Sequence, residues 1–212
     1  FDQWQPKASL KYDISANSMV YATIARGFRS GGFNPPTAVF PSVYRPETTT
    51  NFEFGTKNSL FDRKLTLNAA AFYIQYKDQQ VFILNVADQG IINIADTDIY
   101  GLELEAQARP TDRLELGASL GLIDAKIKDF DGTDLYRGNR VPLTYRWSYT
   151  LSGQYTLPLG GSSLVGRVEY SGKGGNYWHV DNAARQNDVH LVNARLTWNR
   201  DGFSLAAYAE NL

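Results

Sequence analysis

The chain contains no cysteine, so neither a disulfide framework nor a thiolate metal site is open to it. It also lacks an excess of either charge: 21 lysines and arginines stand against 22 aspartates and glutamates, a net charge of −1. Without a basic surplus to neutralise phosphates, no nucleic-acid partner is expected. No apolar run approaches the roughly 20 residues that a membrane-crossing helix requires, and apolar spacing suited to a helix face is nearly absent. Nor does the start read as a secretory signal, because Phe1-Asp2-Gln3-Trp4 opens in the middle of a pattern. What is plentiful is aromatic side chains, 13% of 212 residues, alongside 18 glycines. That mixture points to an all-β chain, either one domain or a piece of something larger.

Apolar residues recur at every second position in segment after segment, as in strands with two unlike faces. Leu102, Leu104, Ala106 and Ala108 alternate with Glu103, Glu105, Gln107 and Arg109. Leu114, Leu116, Ala118, Leu120 and Leu122 alternate with Glu115, Gly117, Ser119 and Gly121. Trp147, Tyr149, Leu151, Tyr155 and Leu157 alternate with Arg146, Ser148, Thr150, Ser152, Gln154 and Thr156, and Val192 to Trp198 repeats the pattern. Weaker versions near 4–14, 18–28, 47–59, 64–77, 163–173 and 202–211 bring the expectation to ten strands. Segments of about 10–13 residues exceed the ~5–6 of a soluble strand and match the ~9–11 of a tilted membrane strand. Aromatics gather near the segment ends (Trp4, Tyr12, Tyr73, Tyr76, Tyr100, Trp147, Tyr155, Tyr170, Trp198), as the interfacial girdles of a membrane barrel require.

Connections alternate in length. Short turns are expected near Ser15–Ser18, Phe61–Arg63, Thr111–Asp112, Pro158–Ser162 and Asn199–Gly202; long polar loops near Arg29–Pro46, Asp78–Asp96, Lys126–Thr144 and Gly174–Asp188. Short turns on the periplasmic side and long loops outside describe an outer-membrane barrel. On that polarity both chain ends fall on the outer side, and a fragment of a larger barrel is expected. A soluble propeller would show four short strands per repeat where this chain shows two long ones.

Four stretches resemble the C-terminal part of the β-barrel of TonB-dependent outer-membrane receptors. They are Tyr21–Pro35 (YATIARGFRSGGFNP), Arg45–Val81 with its Glu53-Phe54-Gly55-Thr56-Lys57 and Phe72-Tyr73 hairpin, Tyr100–Phe130, and Val192–Trp198 followed by Glu210-Asn211-Leu212. The resemblance implies strands twelve to twenty-one of an about 22-stranded antiparallel barrel, set in the lipid of a bacterial outer membrane. It further implies import of a scarce nutrient, usually a ferric siderophore, with cobalamin, haem or an oligosaccharide as the alternatives, and energy passed from the TonB complex through an N-terminal plug. Neither a plug nor a TonB box is read in this sequence. No enzyme activity and no cofactor are implied.

Candidate ligand contacts lie in the outer loops, where arginine can pair bidentately with an anionic chelate and aromatics can stack on aryl groups. One set is Arg26, Phe28, Arg29 and Phe33; a second is Tyr136, Arg137 and Arg140; a third is Tyr177, Trp178, His179 and Arg185. Facing the lumen and the plug are expected Glu53, Lys57, Glu103, Glu105, Arg109, Arg146, Arg167 and Arg195, with Lys7, Ser9, Lys11, Gln107, Glu115, Gln154 and Glu169. Alternation alone demands polar residues there, so their plain role is a solvated, ion-paired wall.

Other motifs carry less. Asp129-Phe130-Asp131-Gly132-Thr133-Asp134 hints at a calcium loop, but Arg140 stands where the bidentate glutamate belongs, so no metal site is assigned. Gly172-Lys173-Gly174-Gly175 lacks the rest of a phosphate loop. Glu103 and Glu105 lie ~7 Å apart along one strand, a spacing glycosidases use, without a facing partner. His179 and His190 near Asp181 and Asp188 would suit a ten-stranded outer-membrane protease, whose termini should both lie inside.

Overall fold

A computed structural model describes residues 3–36, 39–84, 88–130 and 134–212, apart from the side chains at 84 and 95. Ten long strands form one antiparallel sheet: β1 (Lys7–Ser15), β2 (Ser18–Arg29), β5 (Glu47–Leu60), β6 (Leu65–Leu84), β7 (Gln89–Thr111), β8 (Leu114–Asp129), β9 (Trp147–Pro158), β10 (Ser162–Lys173), β11 (Val189–Arg200) and β12 (Phe203–Ala209). Each pairs with its neighbours in chain order. A two-residue pair, β3 (Gly32–Phe33) with β4 (Val43–Tyr44), folds within the loop between β2 and β5.

Turn chemistry sets the tight end of the meander. Gly160 and Gly161 carry φ of 45° and 83°, and Asp201 and Gly202 of 41° and 85°. Consecutive left-handed residues match the twist of the flanking strands, so these turns close hairpins without splaying them. Phe61, Asp62 and Arg63 hold φ of 52°, 54° and 67° with no glycine among them.

Register carries the two-faced pattern across the whole sheet. One unbroken row of facing partners is Leu10, Ala22, Phe54, Ala71, Leu102, Leu122 and Trp147. On the opposite face Lys57, Asn68, Glu105 and Ser119 line up in the same way. The apolar face is open: Leu10 is 73% exposed and Phe54 59%. An exposed apolar face of this extent needs a cover that water cannot provide. Above it stands an aromatic row. Phe52, Tyr73 and Tyr100 stack at centroid separations of 6.2 and 4.7 Å, and Trp147, Tyr149, Tyr170 and His190 continue the row on the later strands.

Three strands run longer than their alternation predicts. β6, β7 and β8 continue past the expected ends at 77, 100 and 122, so the supposed loop Asp78–Asp96 is largely a strand hairpin. The cause is a local break in each ladder. Asp78 adopts φ 54° and drops out of the ladder between Lys77 and Gln79, and β7 slips against β8 between Asp96 and Thr97. A bulge breaks the period of two, so the sequence beyond it no longer reads as a strand.

Candidate functional site

Residues with chemistry concentrate at the long-loop end, where two loop assemblies are tied down by side-chain amides. In the first, Asn34 donates from Nδ2 to the Pro41 and Ile91 carbonyls and accepts the Ile91 amide at Oδ1, each at 2.8 Å. Gln80 donates to the Ser30 and Arg45 carbonyls at 2.9 and 3.0 Å. Phe40 is buried over Gly90, where any β-carbon would strike its ring. These contacts fasten the loop carrying β3 and β4 onto the β6–β7 hairpin.

The second assembly joins the loops after β8 and β10. Val141 and Val180 are buried against Ile94, Ala125 and Ile127, a small core at the extended ends of β7 and β8. Asn139 donates to the Val180 carbonyl at 2.8 Å. Asn182 brackets Arg140, accepting its amide at 2.8 Å and donating to its carbonyl at 3.0 Å. Leu143 donates its amide to the Tyr177 carbonyl at 2.8 Å. The two loops therefore hold each other, and both lie pre-set against the strands.

The expected ligand residues do not form one cluster. Alternation within β2 turns Arg26 and Phe28 to the apolar face with Ile24, while Arg29 lies on the polar face, 4.0 Å from Glu47. Phe33 stands 81% exposed on β3. Tyr136 packs edge-on against Phe130 at 4.8 Å and borders the small core. Arg137 is committed to structure: Nε donates to the Lys128 carbonyl at 3.0 Å and Nη1 pairs with Asp134 at 2.8 Å. Arg140 differs. Its Nε and Nη2 are buried with no acceptor, and burial and then the Arg146 charge push its pKa below the usual guanidinium range. Tyr177 and Arg185 face each other across a β-bridge, Trp178 is 52% exposed, and the His179 carbonyl accepts from Asn182.

On the polar face Lys57, Glu103 and Glu105 line a depression of about 410 Å³ with Tyr21 and Asn68, and Glu53 lies on the same face. Arg109 pairs with Glu115 at 3.2 Å, and Arg167 with Glu169 at 3.1 Å. Arg195 sits opposite Arg167 and donates to Thr197 at 3.2 Å, while Arg146 is exposed. Of the histidines and aspartates that would suit a protease, His190 and Asp188 are engaged elsewhere. His190 Nδ1 meets the Tyr149 and Tyr170 hydroxyls at 2.9 and 3.2 Å, and Asp188 accepts from the Gly175 amide and Arg185. Part of the calcium-loop motif, 131–133, lies outside the described residues. Sequence reasoning missed the amides Asn34, Gln80, Asn139 and Asn182; a single loop amide carries no periodic signal that would mark it.

A family model described as TonB dependent receptor-like, beta-barrel matches residues 1–212. The pesticin receptor of Yersinia pestis is 28% identical over 214 residues, covering 100% of this chain and 31% of that receptor. The crystal structure of the ferric yersiniabactin uptake receptor FyuA from Yersinia pestis superposes with a TM-score of 0.83 at 27% identity, over 97% of this chain and 31% of FyuA. BauA, the ferric preacinetobactin receptor from Acinetobacter baumannii, matches with a TM-score of 0.78 at 16% identity, over 98% of this chain and 31% of BauA, and so speaks to the fold alone. The chain thus spans about a third of the length of these relatives.

Proposed function

The chain belongs to the TonB dependent receptor-like β-barrel family over its whole length, and from that membership we propose that it forms wall and outer rim of a receptor importing a ferric siderophore. Members of this family are outer-membrane transport receptors, not enzymes, and the localisation is the bacterial outer membrane. The observation that carries the reading is the two-faced sheet crowned by tied loops. An apolar face open across ten strands suits lipid, and the polar face opposite suits a wet lumen. Loops already held by Asn34, Gln80 and Asn182 lose little freedom when a ligand arrives.

In this reading the charged row of Glu53, Lys57, Glu103, Glu105, Arg109, Arg146, Arg167 and Arg195 meets water and an N-terminal plug domain. The plug, rather than the sheet, takes up the TonB contact that powers entry. Capture falls to the second loop assembly, with Arg140, Tyr177, Trp178, His179 and Arg185, and to Arg29 and Phe33 on the first. Arg26, Phe28 and Arg137 are set aside, the first two for the face they occupy and the third for its internal partners. Iron is cargo here, bound inside its chelate.

Support comes from the matched relatives, which include a ferric yersiniabactin uptake receptor aligned over nearly the whole chain. The test is growth. A strain stripped of its other iron receptors and expressing the full-length protein should grow on at least one ferric siderophore under iron limitation. Failure on a broad siderophore panel, with the protein verified in the outer membrane, would refute the assignment.

A further inference from the structure

The outward, apolar face is not smooth across its first strands. Along the row Leu10, Ala22, Phe54 and Ala71, large and small side chains alternate, and the next row out carries Ile24, Phe52 and Tyr73. Ala22 and Ala71 leave the floor open between those larger groups. The result is an apolar depression of about 660 Å³ reaching from β1 to β6. That volume falls within the roughly 300–1,000 Å³ of small-ligand sites. It lies directly beneath the aromatic row, whose rings mark the headgroup level, and so at the depth of outer-leaflet acyl chains.

Arg26 stands above this depression. It follows Ile24 by two residues on the same face of β2, about 5 Å further out at ~3.4 Å per residue and a tilt of ~40°. Its side chain is exposed, and no hydrogen bond or ion pair among the described residues occupies the guanidinium. Other cations on the outward face have acids beside them. Lys126 pairs with Asp124 at 3.0 Å, Lys128 with Asp98 at 2.6 Å, and Lys77 faces Asp96 across the ladder. Arg26 instead has Thr50 and then Gln75 beside it in register, and Thr48 faces Phe28 in the row beyond. A lone cation among hydroxyls and an amide, over an apolar seat, matches a phosphate carried on a sugar whose acyl chain runs down into the membrane.

We infer that this depression and Arg26 together form a docking site for one phosphorylated, acylated glycolipid of the outer leaflet, of the lipid A type. One acyl chain lies over Ala22 and Ala71, and Arg26 takes a phosphate through its planar fork. Thr48, Thr50 and Gln75 meet the sugar's hydroxyls. Chain and phosphate belong to one molecule, so each contact raises the effective concentration of the other, and this lipid is retained where those that merely wet the apolar face exchange. The site looks into the membrane, on the opposite face of the sheet from the lumen, and is independent of what the receptor imports.

The test uses the full-length receptor reconstituted in phosphatidylcholine vesicles doped with lipid A, then extracted in mild detergent and weighed by native mass spectrometry. Wild type should retain lipid A in stoichiometric amount. Ala22→Phe, which fills the depression, and Arg26→Gln should each lower that retention at least tenfold, about 1.4 kcal/mol. Ala71→Leu fills the same floor with a smaller group and should act in the same direction. Leu104→Phe, elsewhere on the apolar face, should retain lipid A like wild type. Retained gel mobility of the folded barrel confirms that each variant assembles. Dephosphorylated lipid A should be held by wild type no better than lipid A is held by Arg26→Gln. Equal retention of lipid A by wild type, Ala71→Leu and Arg26→Gln would overturn the inference. So would equal retention of phosphatidylglycerol in place of lipid A, or a lipid-free receptor dimer that Ala22→Phe or Ala71→Leu dissociates, which would give the depression to a second copy.

Discussion

Leu104 offers a quantitative test of which face meets lipid. It lies on β7 four residues from Tyr100, a member of the aromatic row, and faces Ala69 and Leu120 on the neighbouring strands. At ~3.4 Å per residue and a tilt of ~40°, its α-carbon sits about 10 Å below that row. Half of an apolar band ~25 Å tall is ~12 Å, so Leu104 falls near the middle of the membrane. Leu104→Arg should therefore cost close to the midplane value, ~2–4 kcal/mol. Glu105, one residue on, points the other way; it accepts from Asn68 at 3.2 Å and Gln107 at 3.4 Å at an exposed site. Glu105→Gln keeps an acceptor there and should shift stability by less than ~1 kcal/mol. The assay is reversible unfolding of the full-length barrel in lipid vesicles, followed by tryptophan fluorescence in denaturant. Equal costs for the two variants, or a larger cost for Glu105→Gln, would refute the face assignment.

Further outcomes follow from the same contacts. Gly101→Ala places a methyl into the Phe72 ring on the polar face, so it should destabilise the barrel by ~1–3 kcal/mol, and adding Phe72→Ala should restore most of that in the same assay. Asn182→Ala removes both bonds that bracket Arg140 and should raise protease sensitivity within 174–188 and weaken ligand binding, while the barrel's melting temperature stays within a few degrees. Lys128 donates to Asp98 at 2.6 Å beyond the aromatic row, and that bond raises the lysine pKa above its ordinary value. A raised lysine stabilises fully below the unfolded value of ~10.4 and loses that contribution as pH climbs through the folded one. Protease resistance of the outer ends of β7 and β8 should accordingly be flat near neutrality and decline in strong alkali, and Lys128→Met should abolish the decline.

Much of the sheet was legible because its physics is periodic. A strand with lipid on one side and water on the other must alternate, and Leu102 to Arg109 or Trp147 to Leu157 cannot do so by accident over such lengths. Short turns were legible for a related reason: Gly160-Gly161 and Asp201-Gly202 carry the positive φ that two-residue hairpins demand. The extensions of β6 to β8 were hidden because the left-handed Asp78 interrupts the β6–β7 ladder and a slip at Asp96 shifts β7 against β8, and there Val81-Phe82-Ile83 and Ile91-Ile92 read as apolar runs without a face. The loop sites were legible only as composition. Arg26, Arg29, Arg137 and Arg140 look alike in sequence, yet one faces the apolar side, one leans on Glu47, one is paired with Asp134 and one is left without an acceptor. What separates them is the fold of the loops, set by amides such as Asn34 and Asn182 whose partners lie 57 and 42 residues away. No local pattern encodes contacts of that range.

The measurement that bears most directly on the account is uptake of radio-iron siderophore by cells with and without the full-length gene, each in the presence and absence of a protonophore. Gene-dependent uptake that collapses when the proton gradient is dissipated, while binding at the cell surface persists, is the predicted result. Gene-dependent entry that continues undiminished without the gradient would mean a passive barrel, and would contradict energised import.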